Sequence, residues 1–295
     1  MRVNPNPISD LLAALNQTEL EQQTASLQLS TGRNVNEPSD NPTAAALLVE
    51  NNDQATFTAG YLKSLSAVQG QLSTADSTLS SVSSALQQAL SLGVEAGDGT
   101  LAASDLASIA NQLQGIQSQL ISLANTSYQG HYIFAGTNTG TAPFVADNTV
   151  PAGVDYAGNT GVNRVSIGSG YQLAVNVPGS QLFSAPGNGV FLAINNLIQA
   201  VQNNTGIPAA VNAISAASSY LSTQRVFYGN AMDQAQSETT YLTTAQLQIS
   251  QQQNTLGGAD MAAAATDLSQ AQTDSQAALA AISKFAQDNL FTYLT

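Results

Sequence analysis

Apolar residues recur at alternating intervals of three and four along much of this chain. That spacing limits the fold more than any other feature. From Leu106 they run Leu106, Ile109, Leu113, Ile116, Leu120 and Leu123, a seam along one face of a helix that packs against another helix. A longer segment, from Pro42 to about Glu95, sets Leu48, Ala55, Leu62, Leu65, Leu72, Leu79, Leu86 and Leu90 on one heptad frame. At about 1.5 Å per residue such a helix is about 80 Å long. The N-terminal stretch places Ile8, Leu11, Leu15, Ala25 and Leu29 on one frame, and the C-terminal stretch does the same with Met261, Ala264, Leu268, Ala271, Ala278, Ile282 and Phe285.

The middle reads differently. Between His131 and about Leu182 glycines crowd the chain, and short β-rich runs appear: HYIFAG, RVSIGSG and YQLAVNV. Gly, Asn and Pro bound each run, as expected of short strands and turns. The helical pattern returns after Phe191 and in a long segment from Pro208 to about Asn254. The sequence therefore predicts a mainly α protein: a long, coiled-coil-like helical bundle formed by the N- and C-terminal segments, with a small β-rich inserted domain. Residues 1–40 with 258–295 are expected to form a terminal helical region, 41–130 with 190–257 the main rod, and 131–189 the insert.

One stretch near the start, STGRNVNEPSDNP (residues 30–42), breaks the helical pattern. Gly32 follows the last seam residue, Leu29, and suits a helix stop. Asn41 precedes Pro42, which turns Asn41 away from the α region. Asn is a strong N-cap, and Pro is at home in the first helical position. The stretch is a joint between two helices, and Gly257 with Gly258 supplies a second break on the returning segment. Gly32, Asn41, Pro42, Gly257 and Gly258 are thus the expected joint residues.

Charge narrows the functional classes. Charged residues are 8% of the chain, against roughly 25% in a typical soluble domain. The net charge is −13, and the six basic residues are spread along the whole length. Nucleic acid needs clustered Lys and Arg to neutralise its phosphates, so neither nucleic acid nor an anionic membrane is an expected partner. There is no cysteine, hence no disulfide framework and no thiolate metal site. The N-terminus lacks the apolar core of a secretory signal, and no stretch approaches the roughly 20 apolar residues of a membrane span.

Chemistry fares no better. His131 is the single histidine, which excludes a zincin pair, and no G-x-S-x-G elbow is present. It is expected to be a partly buried residue opening a YIFAG strand. The GDGT at 97–100 lacks the spacing of a calcium loop. No enzyme, cofactor or metal is expected. The seam flanks carry Gln, Ser, Thr and Ala where coiled coils usually carry Glu and Lys. Ala-rich helices bury little area each. The terminal helices are therefore expected to order mainly against copies of themselves or against partners.

Three stretches carry a resemblance. STGRNVNEPSDNPTAAA resembles the turn after the first helix in the bacterial flagellin superfamily. LANTSYQGHYIFAGTNTGTAPF (residues 123–144) and the ending FAQDNLFTYL (285–294) are similar to the hook-associated type 3 branch of that superfamily. The resemblance covers roughly residues 1–145 and 205–295. It implies a structural subunit of the flagellum, exported through the flagellar type III apparatus and assembled outside the cell at the hook–filament junction. It implies as partners copies of the same chain in a ring or layer, another hook-associated protein on the hook side, flagellin on the filament side, and an export chaperone. In that frame the terminal helices form an inner tube, with Ile8, Leu11, Leu15, Leu29, Leu268, Ile282, Phe285, Leu290 and Leu294 at the assembly interface. The alternative is a filament flagellin. Pro42, standing in a SDNPTAAA run where flagellins show a DDAAG-like one, and the FTYLT ending both favour the junction branch.

Overall fold

The computed structural model describes the backbone of residues 7–293 and the side chains of residues 9–284. Seven helices and six short strands follow in order. They are α1 (Pro7–Thr31), α2 (Pro42–Ala96), α3 (Ala103–Ala124), β1 (Ser127–Tyr128), β2 (His131–Tyr132), β3 (Phe144–Ala146), β4 (Val154–Tyr156), β5 (Arg164–Gly168), β6 (Tyr171–Ala174), α4 (Gly179–Phe183), α5 (Val190–Gln202), α6 (Ile207–Gly257) and α7 (Met261–Tyr293). The chain divides into two compact units. One takes the residues up to Phe57 and those from Ala245 onward, and the other is Thr58–Thr244. Helices α2 and α6 contribute to both units.

In the Thr58–Thr244 unit the expected α2 residues Leu65, Leu72, Leu79 and Leu86 are buried, while Leu62 and Leu90 are half-buried. The four buried leucines alternate with Val68, Ala75, Val82 and Ala89, also buried, three and four residues apart as a helix seam requires. Helix α6 answers with Ile207, Ala210, Ile214, Ala217, Leu221, Tyr228, Ala231, Ala235 and Leu242. The two helices run antiparallel. Gly97 lies beside Ile207 and Gly93 beside Val211, Asp76 pairs with Arg225, and Gln69 meets Gln236. At Gly93 a Cβ would come within 2.8 Å of a Val211 methyl and 3.0 Å of Leu197, so glycine sets how closely the helices approach. Helix α3 buries Leu106, Ile109, Leu113, Ile116 and Leu120 as its spacing predicts, with Ala124 closing the seam in place of half-buried Leu123. It packs on α5, whose Val190, Phe191, Ile194, Leu197, Ile198 and Val201 are buried.

The β-rich insert is present as expected, its strands short and antiparallel, and it differs from expectation in its detail. It forms three separate antiparallel hairpins, β1–β2, β3–β4 and β5–β6. Phe134, Phe144, Ile167, Val175 and Phe183 from this segment lie in the same apolar cluster as α2, α3, α5 and α6, so no boundary in the core sets residues 131–189 apart. The YIFAG run is a strand only at His131–Tyr132. Phe134 and Ala135 are both buried, which a strand with alternating faces does not allow. Their carbonyls instead accept from outside any sheet: Phe134 from the Gly179 N–H at the start of α4 at 2.8 Å, Ala135 from the Asn159 N–H at 3.1 Å. His131 is exposed, not partly buried.

The other unit is built around α1 and α7, which pack against each other. Their meeting face is made of small residues: Ala25, Ala264 and Ala271 are each 2–3% exposed. Among the described residues no helix is long and apolar enough to cross a membrane.

Candidate assembly site

The breaks at Gly32 and at Gly257–Gly258 meet in space. Helix α1 ends at Thr31, and Gly32 takes φ +67°, the left-handed conformation that glycine adopts without a side-chain penalty. Its N–H closes back on the Gln28 carbonyl at 2.8 Å. The Gly32 carbonyl then accepts from the Ala259 N–H at 3.0 Å, and the Asn34 N–H donates to the Gly257 carbonyl at 2.8 Å. Arg33 and Gly258 thus form a one-rung antiparallel bridge. The two chain segments are tied at the point where each leaves a helix.

Both restarts are capped by side chains. The Ala44 N–H donates to Asn41 Oδ1 at 3.0 Å, with Pro42 in the first helical position of α2. Asp260 does the same for α7, accepting from the N–H groups of Ala262 and Ala263 at 2.9 and 3.1 Å. Between the helices Asp40 folds back to accept from the N–H groups of Asn36 and Glu37, each at 2.9 Å. The Glu37 N–H, then that of Asn36, holds the Asp40 carboxyl below its usual range, since both bonds favour the ionised form. Sequence reading found Asn41 and Pro42 but missed Asp40 and Asp260. Each is the acidic residue one position before a helix restart or its cap, a signal that was available.

Two expected outcomes attach to the joint. Asp40 has a depressed folded pKa, so its contribution is present above the ordinary carboxylate value near 4 and fades as pH falls through the lower folded value. The protection of the Asn36 and Glu37 amides against hydrogen exchange, relative to their intrinsic rates at each pH, is therefore expected to fall in acid. In Asp40→Ala, which removes the acceptor, that protection is expected to be absent at neutral pH already, with no further step. Gly32→Ala costs about 1 kcal/mol through its positive φ. Gly258→Ala costs more, because its Cβ would collide with the Asn254 carbonyl. Trypsin is expected to cut at Arg33 faster in Gly258→Ala than in Gly32→Ala, and faster in both than in the parent.

The expected interface residues whose side chains are described are neither fully buried nor fully exposed. Leu11, Leu15 and Leu29 of α1, and Leu268 and Ile282 of α7, are half-buried. The side chains of Ile8, Phe285, Leu290 and Leu294 lie outside the described residues. The helices also carry apolar residues that sequence reading passed over. Leu12, Leu20 and Leu27 on α1 and Leu279 on α7 are 42–59% exposed. Leu20 borders the groove between α1 and α7, together with Ala25, Gln270 and Ala271.

Reactive chemistry is sparse. An ion pair joins Arg225 to Asp76 at 2.9 Å and clamps α6 to α2 through a two-pronged hydrogen bond. Its groups are about one third exposed, which keeps its contribution small. Tyr228 is buried, with its hydroxyl accepting from the Val177 N–H at 3.3 Å, and burial pushes its pKa well up. Among the described residues no three His, Cys, Asp or Glu side chains gather as a metal site would.

A long antiparallel helical hairpin, a second terminal helix pair tied at a glycine joint, and small hairpins at the far end of α3 define a flagellin-like architecture. Residues 5–139 match the bacterial flagellin N-terminal helical region, and residues 211–294 match the C-terminal one. The chain belongs to the bacterial flagellin family. Within it, the chain is 34% identical to flagellar hook-associated protein 3 of Salmonella typhimurium over 175 residues, covering 59% of this chain and 54% of the relative. The Escherichia coli protein of the same name is 33% identical, covering 54% of this chain and 49% of the relative. The chain thus spans about half the length of the curated relatives it matches. Among solved structures, Bacillus cereus FlgL superposes with a TM-score of 0.57 at 21% identity, covering 72% of this chain and all of that one. A Vibrio parahaemolyticus protein assigned to the flagellar hook-associated proteins gives a TM-score of 0.67 at 20% identity, covering 73% and 98%. At these identities the likeness is one of fold.

Proposed function

We propose that this chain is a structural subunit of the flagellum that joins the hook to the flagellin filament. The observation that carries the reading is the sequence identity to hook-associated protein 3, which takes in about half of each chain. The low-charge terminal helices support it. The residues buried most deeply in that pair are the alanines Ala25, Ala264 and Ala271, and alanine burial gives little per residue, so contacts with further helices would add what the α1–α7 pair lacks. On this reading the partners are copies of the same chain in a ring, another hook-associated protein toward the hook, flagellin toward the filament, and an export chaperone before assembly. The subunit works outside the cell, and its role is mechanical.

Gold-labelled antibody raised against residues 145–190 tests the reading on intact flagella. A narrow band where hook meets filament is the expected result. Label along the whole filament would make the chain a filament flagellin and overturn the junction role.

A further inference from the structure

The signature stretch 123–144 does more than fill the core. Its hairpin β1–β2 forms one wall of a cleft of about 410 Å³, closed by α2 on a second side and by the β5–β6 hairpin on a third. That volume lies within the range of small-ligand sites. The floor is apolar: Val68, Ile133 and Val175 are buried beneath it. Tyr128 and Tyr132 stand at the side, and Gln71, Gln129 and Asn163 line it with amides. No Asp, Glu, Lys or Arg borders the cleft.

Two details point to a ligand. Tyr128 is seated against α2 at Gly70, where a Cβ would collide with its hydroxyl, so the ring is fixed as a wall of the cleft. Gln129 is the first of two residues in the β1–β2 turn, and both take positive φ, +51° at Gln129 and +83° at Gly130. Such turns favour Asn, Asp or Gly at that position. Gln is disfavoured there relative to those residues, and its amide, one methylene longer than that of Asn, borders the cleft. Its nearest partner is the Tyr128 hydroxyl, at a long 3.4 Å. Strain held at a cleft is a mark of function.

We propose that this cleft binds an uncharged saccharide. Aromatic rings and an apolar floor match the C–H face of a sugar ring, while the Gln129 amide and the amide oxygens of Gln71 and Asn163 meet its hydroxyls. The Asn163 Nδ2 is already held by the Gly136 carbonyl at 2.8 Å, and the Gln71 Nε2 is directed at the Val175 carbonyl. His131 also lines the cleft, but no Lys or Arg does, so acidic sugars are not the preferred class. An added peptide strand fits less well, because the backbone N–H groups at the edges are taken. Tyr132 donates to the Thr139 carbonyl at 3.0 Å, Ile133 to that of Thr126 at 3.2 Å, and Val175 to that of Asn163 at 3.0 Å. The site lies wholly within the Thr58–Thr244 unit and does not depend on the junction role.

Saturation-transfer NMR on the full chain tests this with maltotriose, cellobiose, N,N′-diacetylchitobiose and sialyllactose at millimolar concentration. Transfer to the ring protons of at least one neutral sugar is expected. Gln129→Asn keeps the turn in its favoured chemistry but shortens the amide. It is expected to melt no lower than the parent and to bind at least tenfold more weakly, with Gln71→Ala showing the same loss. No transfer to any neutral sugar overturns the proposal, as does transfer to sialyllactose alone. Transfer that both variants leave unchanged places the sugar elsewhere and overturns it equally.

Discussion

Phe144→Ala is expected to lower the stability of the Thr58–Thr244 unit by about 3–5 kcal/mol, the range for emptying a large aromatic from a core. Phe144 is 2% exposed and is the hub of an aromatic cluster. Its ring centroid lies 5.0 Å from Tyr156, 5.3 Å from Phe183 and 5.1 Å from Phe191. Edge-on and tilted pairs of this kind add to the burial itself. The backbone of the same residue is gripped by Asn125 at the end of α3, which accepts from its N–H at 2.9 Å and donates to its carbonyl at 2.7 Å. One residue thus ties the hairpins to α3 and α5. Urea unfolding followed by near-ultraviolet circular dichroism checks the prediction. The midpoint should fall with an unchanged slope, and a shift under 1 kcal/mol would mean that the hairpins are not part of the helical core.

That cluster shows where the sequence was legible and where it was not. The long helices were readable because each seam position repeats the same physical demand: Leu65 to Leu86 on α2 every seven residues, Ile207 to Leu242 on α6. Their ends were readable for a local reason. Gly32, Asn41 and Pro42 each satisfy a backbone requirement set by their immediate neighbours. Phe134 and Phe144 obey no such rule. Their burial comes from contacts with Phe183 and Phe191, some 40 or 50 residues away along the chain, and consecutive buried residues there carry no period. The segment therefore read as a separate β insert, although its apolar side chains complete the core of the helices. The joint shows the same limit. Each break was visible alone, but their tie through Asn34, Gly32, Gly257 and Ala259 is a pairing over more than 200 residues that no local pattern encodes.

The terminal pair carries the second large effect, on assembly. Leu11→Asp or Ile282→Asp is expected to cut incorporation into flagella at least tenfold while export of the chain continues. Both side chains are half-buried along α1 and α7, and a carboxylate placed between packed helices loses water without gaining a partner. On the proposed junction role, export of an unfolded chain would not read that seam, whereas assembly would. The neighbouring seam residues Ala25, Ala264 and Ala271 are small. At about 0.8 kcal/mol per buried CH₂, the few larger residues beside them supply much of the apolar gain. Leu11→Met keeps the volume and apolarity and is expected to assemble normally, which separates loss of packing from any change of residue at that position. Secreted protein collected from the medium and flagella examined by immunoblot give the two readouts. Aspartate variants found in flagella at the parent level would show that the α1–α7 seam is solvated in the assembled state, and the inner-tube role of these helices would then have to be abandoned.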